Sequence, residues 1–91
     1  MLGLHYQPRR HADCVRAAIQ SFTLYLSIVP SDTIVIAVAQ EALVHCYLKE
    51  APEYGIVFHG FPSLEEAKRF AKEVAEGMAG AGISIEGGDL H

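Results

Sequence analysis

The stretch Tyr54–Met78, YGIVFHGFPSLEEAKRFAKEVAEGM, constrains the fold more than any other part of the chain. Ser63 stands at an N-cap position and Glu66 lies three residues on, the spacing of a capping box. Leu64, Ala67, Phe70, Ala71, Val74, Ala75 and Met78 then recur at helical intervals and form one apolar stripe. The opposite face is charged, with Glu65–Arg69 and Lys72–Glu76 each one turn apart. Gly80 or Gly82 can close the helix. Gly77 inside it costs about 1 kcal/mol relative to alanine, which predicts a frayed last turn.

Before this helix, YGIVFHGF reads as a strand of β-branched and aromatic residues. Ile56 and Phe58 point to one face, Val57, His59 and Phe61 to the other. After it, GISIEGG reads as a short strand. The strand-to-helix junction is a place where many chains hold a phosphate. Here Ser63 and Glu66 use the free backbone donors, and Glu65 and Glu66 put negative charge in the first turn. HGFPS has a single glycine, and Pro62 removes a donor. The junction reads as a capped packing unit.

The first half repeats the pattern. LGLHY is a short strand stopped by Pro8, and Val15, Ala18, Ile19 and Phe22 give a helical stripe from about Ala12. TLYLSIV alternates and predicts a strand over 23–29. A longer first helix is the competing reading, since Leu26 and Val29 also fit its stripe. PSD turns the chain into TIVIAVA, a further strand. In QEALVHCYLKE the helix formers Gln40, Glu41, Ala42, Leu43, Lys49 and Glu50 predict a helix over 40–50 ending before Pro52. Alternation of Val44, Cys46 and Leu48 against His45 and Tyr47 is its strand alternative. Two strand–helix–strand units with an inserted segment predict an α+β fold of ferredoxin-like type. That is a split βαβ sandwich, an antiparallel sheet with two helices on one face.

Ninety-one residues are expected to form a single domain, 1–91, near the lower size limit for a self-sufficient core. The chain is 51% hydrophobic and 20% charged, which excludes a disordered chain. It also leaves more apolar surface than so small a globule hides. A second copy covering the bare sheet face is the simplest remedy. The net charge of −4 argues against nucleic-acid binding. Cys14 and Cys46 are too few for a disulfide framework and are expected as reduced, buried thiols. MLGLHYQPRR lacks the pattern of a secretion signal. Pro30, Ser31, Asp32, Gln40, Glu41 and His45 interrupt the apolar region from Phe22 to Leu48 before it could span a membrane. No membrane association and a cytoplasmic location are expected.

Tyr54, Gly55 and Val57, followed by PSLEEAKRF, resemble the third strand and second helix of an RNA-recognition motif. The chain departs from that family at Pro52, where a basic residue is usual, and at Ile56, where an aromatic stacks on RNA. LGLHYQP also lacks the family's first-strand signature. The resemblance implies a topology and no more.

His5 and His59 each lie in a strand, three residues before Pro8 and Pro62. If the halves are repeats, these strands are neighbours at the centre of the sheet and the two imidazoles share a face. Such a pair could bind a metal or small molecule or move a proton. The plainer reading is two hydrogen-bonded structural histidines. His45–Cys46 and His11-x-x-Cys14 match no zinc module. On a helix, His45 and Cys46 would point about 100° apart.

No nucleophile elbow, HExxH or P-loop occurs, so no catalytic residue is assigned and an enzyme is not the favoured reading. The tail GGDLH carries a diglycine that a free terminus explains. No cofactor is called for. The expected function is a non-catalytic interaction or regulatory domain that homodimerises through the apolar sheet face, with another protein as a further possible partner. Tyr25, Tyr47, Val57 and Phe61 are the expected interface residues. The alternative is a small-molecule or metal-binding domain, conceivably a small dimeric enzyme, built on His5 and His59 with His45 and Cys46 as further candidate ligands.

Overall fold

The computed structural model describes residues 2–78 and 80–87. Its elements run β1 (Leu2–His5), a 3-10 turn (Pro8–Arg10), α1 (His11–Ile28), β2 (Thr33–Ala39), β3 (Leu43–Leu48), β4 (Ala51–His59), α2 (Leu64–Gly77) and β5 (Gly82–Glu86). The five strands form one mixed sheet in the order β1-β4-β3-β2-β5. β2, β3 and β4 make an antiparallel meander, and β1 and β5 add in parallel at its two edges.

Both helices pack on one side of the sheet. Ile34, Ile36 and Val38 of β2, Val44, Cys46 and Leu48 of β3, and Ile56 and Phe58 of β4 face Ala18 and Phe22 of α1 and Ala67, Phe70, Ala71 and Val74 of α2. Period-2 alternation along the strands and 3.6-residue spacing along the helices thus meet in a single apolar layer. The result is a compact α+β domain of two layers.

The expected two strand–helix–strand units are present as β1-α1-β2 and β4-α2-β5. Two features correct the ferredoxin-like expectation. Segment 23–29 is helical as far as Ile28, because Tyr25, Leu26 and Val29 continue the inward stripe of Ala18 and Phe22. Its hydroxyls are satisfied within the helix, Thr23 donating to the Ile19 carbonyl at 2.8 Å and Ser27 to that of Leu24 at 2.6 Å. Pro30 then forces Val29 into an extended conformation, φ −117° and ψ 119°.

Segment 40–50 is the central strand β3 rather than a helix. Its helix formers Gln40, Glu41, Lys49 and Glu50 fall in the flanking turns, while Val44, Cys46 and Leu48 are fully buried against the helices. Pairing on both sides, with β2 and β4, outweighs local propensity. The sheet therefore has five mixed strands in place of an antiparallel ferredoxin-like sheet.

Gly77 has a packing role beside its propensity cost. A side chain there would strike Ile19 of α1, so this glycine lets the two helices approach closely.

Ser63 caps α2 as expected, its hydroxyl accepting the Glu66 N–H at 3.2 Å. The diglycine tail beyond Gly87 lies outside the described residues.

Candidate functional site

The side of the sheet away from the helices has no described element packed on it. Register places Val35 beside Tyr47, then Ala37, His45 and Val57 in the next row, and Ala39 beside Leu43. Val35 is buried by its neighbours; the rest are half-buried. On β2, β3 and β4 these rows carry no Lys, Arg, Asp or Glu; Glu86 of the edge strand β5 lies beside Ala37.

His5 and His59 are paired in register on β1 and β4 and lie on this same open side. Their rings stack with centroids 5.1 Å apart and planes at 22°. They stand at the edge of the sheet rather than its centre, because β1 is an outer strand. Gly60, at φ 87°, turns the chain immediately after β4; a side chain there would collide with the His5 ring.

His45 also lies on the open side, its ring 4.6 Å from that of Tyr47. Its Nε2 is shielded from solvent and has no hydrogen-bond partner among the described residues. Loss of hydration holds the His45 imidazole below the ordinary histidine pKa. Cys46, the next residue, points the opposite way into the core with no exposed surface. Burial pushes its thiol up to about 12. Alternation along a strand thus separates His45 from Cys46 and keeps them from sharing a ligand.

Of the four expected interface residues, Tyr47 and Val57 lie on the open face. Tyr25 and Phe61 do not. Tyr25 belongs to α1 and packs edge-on against Phe22 and Tyr54. Phe61 follows the Gly60 turn, which folds it back into the core, 7% exposed and stacked on Tyr6 with centroids 4.1 Å apart.

A polar network under the N-terminal ends of both helices was not anticipated. Tyr6 follows β1 and donates its N–H to the His59 carbonyl at 2.7 Å. Its ring is 1% exposed. The phenol donates to Glu66 Oε2 at 2.9 Å, and His11 Nδ1 lies 2.6 Å from the phenol oxygen. His11 Nε2 reaches Glu73 Oε2 at 2.9 Å. All three contacts are satisfied when His11 carries a proton on each ring nitrogen; with one proton, a contact loses its donor.

Burial, then the hydrogen bond and negative charge of Glu66, push the Tyr6 phenol up to about 12, with Arg69 acting in the opposite direction. Arg69 pairs with Glu66 at 3.5 Å and Glu73 at 4.0 Å, rather than with Glu65. The Glu66 carboxylate is engaged by Tyr6 and Arg69, away from the reciprocal half of a capping box. The available signal was the i, i+3, i+7 spacing of Glu66, Arg69 and Glu73, which puts all three on one helix face toward α1.

A cleft of about 190 Å³ opens between β1 and α1, lined by Leu4, His5, Gln7, Arg10, Cys14 and Phe58 among others. It is smaller than the usual small-molecule pocket. Among the described residues, no three His, Cys, Asp or Glu side chains converge as a metal-binding group, and no helix is long and apolar enough to cross a membrane. No protein-family model matches the chain, and neither do any curated proteins or solved structures.

Proposed function

We propose that the chain is a non-catalytic interaction module that pairs with a second copy of itself through the open face of its sheet. One observation carries this reading. Both helices lie on one side, leaving the centre of the other, around Tyr47 and Val57, apolar and without a described covering element. A second copy is the favoured occupant because the rows at the centre of this face, on β2, β3 and β4, carry no Lys, Arg, Asp or Glu, the exposed Glu86 standing at the β5 edge. Two chains of net charge −4 can meet there while their acidic groups stay in water. Apolar area of this kind is what buried interface centres are made of. The unpaired thiols Cys14 and Cys46 suit a reducing compartment, in keeping with a cytoplasmic protein.

Sedimentation velocity of the full chain tests the proposal. The wild type should sediment as a dimer at micromolar concentration. Val57→Lys, which puts a charge at the middle of the face, should sediment as a monomer with an unchanged circular dichroism spectrum. A monomeric wild type, or a Val57→Lys variant that still dimerises, would overturn it.

A further inference from the structure

We propose that His5 and His59 form a bidentate site for a late divalent transition ion of the Zn²⁺, Ni²⁺ or Cu²⁺ class. This inference is independent of self-association, since both ligands come from one chain.

The argument starts from register. Parallel pairing of β1 and β4 sets His5 directly beside His59, so both side chains leave the sheet on the same side. Both are exposed, and neither ring makes a side-chain hydrogen bond among the described residues. Four ring nitrogens are therefore available to an incoming ligand.

Spacing supplies the second step. With metal–nitrogen bonds of about 2.0–2.1 Å, two imidazoles on one tetrahedral ion hold their ring centres roughly 5 Å apart. The observed separation is 5.1 Å. The stacked planes must turn so that one nitrogen of each ring converges on the ion. That rotation is about χ2, a broad and roughly two-fold torsion, in two exposed rings that make no side-chain hydrogen bond among the described residues. Gly60 contributes by absence: any larger residue would strike the His5 ring.

Ligand chemistry sets the class of ion. Imidazole nitrogen suits Zn²⁺, Ni²⁺ and Cu²⁺, whereas Mg²⁺ and Ca²⁺ require oxygen. No third protein ligand converges there among the described residues, so water completes the coordination and the ion stays open to exchange. Such an ion would also fasten the short edge strand β1 to β4.

The test is titration of the full chain with Ni²⁺, followed by calorimetry and by thermal melting. One ion per chain should bind, and it should raise the melting temperature. His5→Ala and His59→Ala should each lower the affinity by about tenfold or more, since either removes the chelate advantage. The double variant should lose little beyond either single one. Both variants should melt like the wild type without metal, because the rings are exposed; His45→Ala serves as the off-site control. Absence of Ni²⁺ binding, retention of wild-type affinity by either single variant, or loss of binding in His45→Ala alone would overturn the assignment. Dimerisation is read separately by sedimentation without metal, so failure of the site and failure of the interface remain distinct.

Discussion

The two faces of the sheet are made by the same three central strands, yet they have opposite fates. On the helix side, Ile36, Cys46, Ile56 and Phe58 lie under Phe22 and Phe70, and burial is complete or nearly so. On the other side, Ala37, His45, Tyr47 and Val57 alternate with them and remain half-buried. Apolar side chains alone do not make a core. They must also meet a second layer, and this chain has helices for one side only. The helix side therefore holds the fold together, and the open side is where self-association is proposed.

Adjacent positions give the sharpest way to break that comparison. Phe58→Ala, on the helix side, should cost about 3–5 kcal/mol in urea denaturation, through lost burial and the cavity left beside Phe70. Val57→Ala, one residue earlier on the open side, should cost about 1 kcal/mol or less when the chain is monomeric. Its larger effect should fall on self-association. Equal losses at both positions would mean that the faces are not distinct.

A smaller effect is expected from Tyr6→Phe, which removes the hydroxyl shared by Glu66 and His11 while keeping the ring stacked on Phe61. Leaving those partners unpaired beneath the helices should cost about 1–3 kcal/mol. A neutral result would show that the network contributes nothing to the covered side.

The smallest effect near neutrality, and the one that sharpens the contrast most, is pH dependence. Tyr6 and Cys46 on the covered side are raised from 10.0 and 9.0 to about 12. The unfolded chain releases those protons first, so their contribution is intact below pH 9 and falls away between about 9 and 12. His45 on the open side is lowered from 6.5. The unfolded chain takes up that proton first, so its contribution is present above pH 6.5 and declines as pH falls below it. Tyr6 and Cys46 on the covered face thus weaken the fold at alkaline pH, and His45 on the open face weakens it at acid pH. Denaturation midpoints across pH should show both limbs, with Cys46→Ala flattening the first and His45→Phe the second.

The features legible in the sequence were those fixed by spacing within one element or by the repeated strand–helix–strand order. The Ser63 cap, the α2 stripe and the pairing of His5 with His59 needed only local periodicity and the repeated strand–helix–strand order. Thr23–Ile28 and Leu43–Leu48 were misread because their local preferences conflict. The first is rich in strand formers but extends an established helix. The second is flanked by helix formers that sit in its turns, while two neighbouring strands decide its state. Phe61 went to the wrong face because alternation was carried past Gly60, where the chain turns. The Tyr6–His11–Glu66–Glu73 network links residues up to 62 positions apart, and no pattern within one element announces it.

The account rests on the open face meeting its own copy. An isotope-filtered NOE experiment on a mixture of ¹³C-labelled and unlabelled chain reads that contact directly. Cross-chain contacts from the Val57 methyls and the Tyr47 ring are predicted. Cross-chain contacts arising instead from the exposed Leu24 and Ile28 of α1, or none in a chain that diffuses as a monomer, would contradict it.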